Sequence, residues 1–328
     1  MTSAGSRRAA LVRRTCAARV ARVVLLIPAG AFVSRVVLSI LLTALAAGPA
    51  PAQEVVRRVG KVTFRVDVSQ AFPGGVVVVR LQARSRLGTA WALLDGRRAP
   101  FYSERGVPRA LVPVAASAEH GVATLGVGIA SRGGEQRVAI PITIGPREYR
   151  SRYVYLSEEQ RALVSREDAL RDARRLLAHL RTESKSPAPG LLIPPVGSVG
   201  SGFGEPRAYT GTAELESRFD ALQGERHRGV DYPVPIETPV RAPAAGNVLF
   251  AGLLTLAGGT VVIDHGQGVV SVLHHLSSVA VREGDSVAAA AVIGLSGQTG
   301  LAPEPVVQWR VYLHGVAVDP LVLGPLLG

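Results

Sequence analysis

The sequence is poor in cysteine and in aromatic residues: of its 328 residues one is cysteine, Cys16, and 5% are Phe, Tyr or Trp. Cys16 precedes an apolar run that reads as an export signal, so the chain beyond it has neither disulfides nor thiolate ligands. Any metal must then be held by His, Asp or Glu. No cysteine follows the apolar run at a position suited to lipid attachment, which argues against a lipoprotein. Acidic residues are missing from residues 1–52, where Arg7, Arg8, Arg13, Arg14, Arg19, Arg22 and Arg35 supply seven of the +12 formal charges. What remains forms no basic stripe interleaved with aromatics, so nucleic acid is not an indicated partner. After Arg35 the run VVLSILLTALAAG is short for a membrane span. It leads to PAPAQ, where Ala50 and Ala52 are the small residues a signal peptidase takes before Gln53. The expectation is a signal peptide over residues 1–52 and an exported protein of the periplasm or cell envelope, touching the membrane only through that signal. An uncleaved anchor is the alternative, because VVLLIPAGAFV lengthens the apolar region.

The chain beyond Gln53 is patterned for β-structure. VTFRVDV alternates, with Val62, Phe64, Val66 and Val68 on one face and Thr63, Arg65 and Asp67 on the other. GGVVVVRLQAR, RALVPVA, GVATLGVGIA and QRVAIPITIG come after it at short intervals, a spacing that suits an antiparallel, Ig-like sandwich over residues 53–146. Nothing titratable clusters there, and His120 stands alone beside Gly121. Residues 147–198 read as a helix and a Pro-rich linker. Ser157 and Gln160 form a capping-box pattern, Leu163, Leu170, Ala173, Leu177 and Leu180 fall at helical spacing, and the interleaved charges are read as a solvated face. Residues 199–328 show short β signals with no competing helical period. The fold class is therefore mainly β: a sandwich-like domain, a connecting amphipathic helix and a C-terminal β-sheet domain.

In the last domain HRGVDYPVP places His227 four residues before Asp231. Gly229, Pro233 and Pro235 make a helix unfavourable there, so the pair is expected on extended chain facing one cleft. By itself such a pair is weak. However, SGFGEPR, then HRGVDYPVPIETPVRAPAAGNVLFAG, GGTVVIDHGQGVVSVLHHLS, VREGDSVAAAAVIGLSGQTG and GVAVDPL occur in one order over about 120 residues. This order closely resembles the lysostaphin/LytM family of zinc peptidases that cut peptidoglycan cross-bridges.

The resemblance implies a groove on a β-sheet with one zinc held by His227, Asp231 and the last histidine of an H-x-H motif. His275 in LHHLS matches a catalytic histidine, and His274 is expected to face the other way in an alternating strand. Aligned back from GVAVDPL, the two H-x-H positions fall on Val306 and Gln308. Gln308 is expected to offer zinc only a neutral amide oxygen, and Val306 brings no proton-transfer group. Zinc is accordingly expected to be weak or absent. Glu304, with matching parity, is the candidate substitute ligand, and His314, placed in a turn, is a poorer one. The site admits two functional readings. One is a non-catalytic protein that binds peptidoglycan or a cell-wall hydrolase; the other is an active zinc endopeptidase with an altered site. The missing histidines favour the first.

Overall fold

The computed structural model describes residues 53–83, 88–131, 134–163, 166–182, 184, 190, 192–210 and 226–327. The expected signal peptide, residues 1–52, lies outside them. Among the described residues no helix is long and apolar enough to cross a membrane.

The N-terminal part is a sandwich of two antiparallel sheets. Its strands are β1 (Glu54–Val59), β2 (Val62–Asp67), β3 (Val76–Ala83), β4 (Thr89–Leu94), β5 (Arg97–Pro100), β6 (Tyr102–Glu104), β7 (Val107–Pro113), β8 (Gly121–Ser131) and β9 (Gly134–Ile144). One sheet has the order β1-β2-β3-β7-β6 and the other β5-β4-β8-β9. In β2, Val62, Phe64 and Val66 are buried, as the alternation predicts. The unbroken valines of β3 have a different cause: both faces of the strand are covered. Val77 and Val79 point into the sandwich core, whereas Val76 and Val78 join Phe203, Trp309 and Leu323 in the core of the C-terminal sheet.

Next come β10 (Arg152–Tyr155), α1 (Glu158–Ala162), α2 (Arg166–Leu180) and β11 (Arg207–Thr210), with β10 pairing β11 in parallel. Ser157 caps α1 in the expected capping box with Gln160. The apolar side of α2 is packed: Leu176 and Leu180 lie against Phe250, Leu254, Val262, Val270, Val272 and Tyr312. Buried Asp172 accepts a hydrogen bond from the Leu256 N–H at 3.0 Å.

The C-terminal strands are β12 (Val230–Pro233), β13 (Pro239–Arg241), β14 (Gly246–Leu254), β15 (Gly258–Gly266), β16 (Val269–Val279), β17 (Ser286–Val287), β18 (Val292–Ser296), β19 (Val306–Leu313) and β20 (Val316–Val318). They form one sheet whose main order is β12-β19-β16-β15-β14-β17. The last element is α3 (Pro320–Leu326), capped by Asp319, whose Oδ1 accepts from Leu321 N at 2.9 Å. Alternation along β19 separates the two faces of the sheet. Val307, Trp309, Val311 and Leu313 enter the main core, while Val306, Gln308, Arg310 and Tyr312 face the other way. That second face carries the apolar cluster under α2 at one end. Beyond it lies the row Asp231, Gln308 and His274, which are register partners across β12, β19 and β16.

Candidate functional site

Chain segments distant in sequence close around this row. Residues 200–206 run antiparallel to 226–231: Asp231 N donates to Ser201 O at 2.9 Å, His227 N to Glu205 O at 2.8 Å and Gly204 N to His227 O at 2.7 Å. His227 precedes β12, and the bend to Asp231 passes through Gly229. A Cβ there would meet Trp309 O at 2.6 Å, so only glycine allows the backbone this close to β19. His227 and Asp231 consequently converge, with Nε2 3.2 Å from Oδ1. Two donors of a tetrahedral zinc at roughly 2.0–2.1 Å would stand roughly 3.3 Å apart. The pair keeps the spacing of two corners of a metal sphere.

Gln308 completes the triangle from β19. The Nδ1–H of His227 donates to Gly202 O at 2.9 Å, which leaves Nε2 as an acceptor. The Nε2 group of Gln308 donates to that nitrogen at 2.9 Å and to Asp231 Oδ1 at 3.1 Å. Its Oε1 is turned away and accepts from Arg310 Nε at 2.6 Å. The expectation that Gln308 offers its amide oxygen to zinc is therefore corrected. The amide presents its two hydrogens to the ligand pair because Arg310, two residues on along the same face, takes the oxygen. The other oxygen of Asp231 accepts from Ser201 Oγ at 2.9 Å and pairs with the Arg207 guanidinium, which also donates to Ser201 Oγ at 2.7 Å.

These contacts set the protonation states. Burial lowers the His227 pKa, outweighing the nearby Asp231 carboxylate, so the ring is neutral. Burial would raise the Asp231 carboxyl, yet it lies well below the usual carboxylate range, and with His227 neutral the Arg207 guanidinium is the cation that holds it there.

His275 stands beside the row on an irregular stretch of β16. Register shifts between Gly259 and Val261 on β15, and between Leu276 and Ser278, mark a bulge, and His275 has φ 67°. The bulge corrects the expected orientation of His274. Alternation fails at a bulge, and His274 shares the face of its register partner Gln308. The two rings lie 6.1 Å apart. His274 is buried, with Nδ1 3.0 Å from Thr260 Oγ1. His275 is partly exposed, donates from Nδ1 to Thr299 O at 2.8 Å and is pushed by burial to a pKa of about 4.

Val306 lies on the face of Gln308 and is buried. Glu304, the candidate substitute ligand, is exposed and pairs with Arg152 of β10 at 3.1 Å. His314 sits at φ 50° in the turn between β19 and β20 and stacks on Tyr102 of the sandwich with ring centroids 6.4 Å apart. Six residues from Gln308 along a strand, it belongs to the domain junction. Arg207, Ser201, Arg310 and Thr299 are the site residues that sequence reasoning missed. SGFGEPR, already singled out, contains Ser201 and Arg207, and VREGDSVAAAAVIGLSGQTG contains Thr299, but neither motif by itself marked them as site residues.

The donor set does not fit a catalytic zinc. That chemistry asks for three strong protein ligands and an open fourth position. Here His227 and Asp231 are the two strong donors, and the third position turns N–H groups towards them. Two guanidinium groups stand next to the cluster. Among the described residues no three His, Cys, Asp or Glu gather as a metal-holding group.

A β-sheet face on which a His and an Asp converge at metal-ligand spacing is what the resemblance to zinc peptidases implied. Residues 225–320 match the model of Peptidase family M23. The DD-carboxypeptidase/endopeptidase Mpg of Neisseria meningitidis is 38% identical over 95 residues, 29% of this chain and 22% of that protein. The peptidoglycan DD-endopeptidase ShyA of Vibrio cholerae is 35% identical over 95 residues, again 29% and 22%. An uncharacterized metalloprotease of Buchnera aphidicola is 34% identical over 106 residues, 32% of this chain and 28% of the relative. The matches thus span less than a third of each of these relatives. A solved structure assigned to peptidase M23 from Pseudomonas aeruginosa superposes with a TM-score of 0.58 and 27% identity, covering 78% of this chain and 96% of that one. That likeness reaches beyond residues 225–320 into the N-terminal sandwich. The C-terminal domain of this protein is a Peptidase family M23 domain, of the lysostaphin/LytM family.

Proposed function

We propose that this is an exported cell-wall protein whose M23 domain binds peptidoglycan without cleaving it and positions a cell-wall hydrolase. The observation that carries the reading is the Gln308 amide, which turns N–H groups to His227 and Asp231 where a peptidase needs a third ligand. The substrate class comes from the relatives, since ShyA is named a peptidoglycan DD-endopeptidase and Mpg a DD-carboxypeptidase/endopeptidase. Binding sites in general recognise a ligand through shape and a few polar contacts, and those do not require a metal. The sandwich shares a core with the M23 domain, so it is a fixed part of the binding body rather than a tethered spacer.

Co-sedimentation with purified sacculi, followed by chromatography of the released material, tests this. The expected result is retention on the sacculi that chelator leaves unchanged, with no new soluble fragments. Chelator-sensitive release of cross-link fragments would establish the active peptidase instead, with Glu304 the first residue to examine.

A further inference from the structure

We infer that Gln308 and Arg310 form a polar lock that takes over the structural role of a metal in this groove, so that the domain keeps its shape with no cation and resists one. The inference rests on the non-catalytic reading and deepens it.

A metal removed from its ligands leaves a part-buried carboxylate and a buried imidazole facing each other, and both are acceptors. Here that conflict is resolved. The Gln308 Nε2 hydrogens satisfy His227 Nε2 at 2.9 Å and Asp231 Oδ1 at 3.1 Å, bridging the two atoms a metal would bridge. Charge is balanced from the opposite side, where Arg207 pairs with the remaining oxygen of Asp231. A glutamine alone is ambivalent, because rotation by 180° would exchange oxygen for nitrogen and offer an acceptor to an incoming cation. Arg310 removes that freedom. Its Nε–H reaches Gln308 Oε1 at 2.6 Å, so a flipped amide would set N–H against N–H at Arg310 and oxygen against carboxylate at Asp231. Two buried mismatches oppose the flip. Gln308 is itself buried and Arg310 partly so, which leaves little water to relieve them. The lock lies wholly on β19, where residues two apart share a face.

Two substitutions separate the parts. Gln308→Glu replaces both donors with acceptors and, beside neutral His227 and anionic Asp231, supplies a third ligand that is itself anionic. Arg310→Met leaves Gln308 in place but frees its orientation. Melting of the full chain is measured in chelator and in zinc, with calorimetry for stoichiometry. The wild type is expected to melt at the same temperature in both. Gln308→Glu should melt below the wild type in chelator and rise by about 5–10 °C with zinc at roughly 100 times its Kd. Arg310→Met should gain a smaller rise. Should Gln308→Glu not fold in chelator, its recovery on refolding with zinc supports the lock, and Arg310→Met remains as the independent reading. A wild-type chain that binds one zinc and gains several degrees overturns the inference, as does an Arg310→Met chain as indifferent to zinc as the wild type. A zinc-binding wild type that still releases nothing from sacculi would sink the lock and leave the non-catalytic reading standing.

Discussion

His275→Ala separates binding from catalysis, and its effect on the fold can be worked from the structure. The ring donates from Nδ1 to Thr299 O and is partly exposed. Leaving that carbonyl without its donor costs about 1–3 kcal/mol. Histidine is among the residues that tolerate left-handed backbone best, so alanine at φ 67° is somewhat less comfortable and adds a few tenths of a kcal/mol. The total is a fraction of the roughly 5–15 kcal/mol by which domains are stable, and the melting temperature should fall by about 3–10 °C with the fold intact. The functional consequence differs sharply between the two readings. A binding groove moves no proton, so sacculus retention and complementation of a deletion strain should persist at matched protein level. An enzyme would lose the roughly 10²–10⁴-fold that a positioned acid–base group contributes. Complementation with His275→Ala, checked by immunoblot for equal abundance, is the assay. Failure to complement at normal abundance refutes the binding reading.

Two other outcomes probe the scaffold. Gly74 sits at φ 80° beneath Phe203, and a Cβ there would lie 2.2 Å from the ring. Gly74→Ala should destabilise by about 1–2 kcal/mol for the backbone plus about 1–3 kcal/mol for overpacking. In a Phe203→Ala background the overpacking disappears, so urea unfolding should show a coupling of about 1–3 kcal/mol, whereas additivity would disprove the contact. His265 is buried and bonded to Ala245 O and Ser271 Oγ, and burial lowers its pKa to about 4. The unfolded chain takes up a proton as pH falls below about 6.5 while the folded chain does not. Its contribution is therefore complete above about 6.5, declines by roughly 3–4 kcal/mol as pH drops to about 4 and then levels off. His265→Asn should flatten the fall of the urea midpoint over that window, and an unchanged slope would show that the ring is already protonated or exposed.

The alternation of VTFRVDV, the capping box at Ser157 and Gln160, and the order of the C-terminal motifs depend on residues near one another in the chain. They were legible for that reason: period two buries Val62, Phe64 and Val66, and a cap needs only three residues. That EPVVQWRV holds no histidine was equally plain. Its meaning was decided elsewhere. Whether Gln308 shows oxygen or nitrogen to His227 depends on Arg310, on Gly202 fixing the imidazole proton and on Arg207 arriving from β11, 24 residues before Asp231. The bulge that brings His274 and His275 onto one side is a mismatch between β15 and β16, and a single strand's sequence holds no record of its partner's register. The helix read as solvated on its charged side covers one end of the groove face with its apolar side for the same reason. A sequence states which groups are present; only pairing between distant segments determines which donor meets which acceptor, and here that pairing has set the Gln308 amide against both His227 and Asp231.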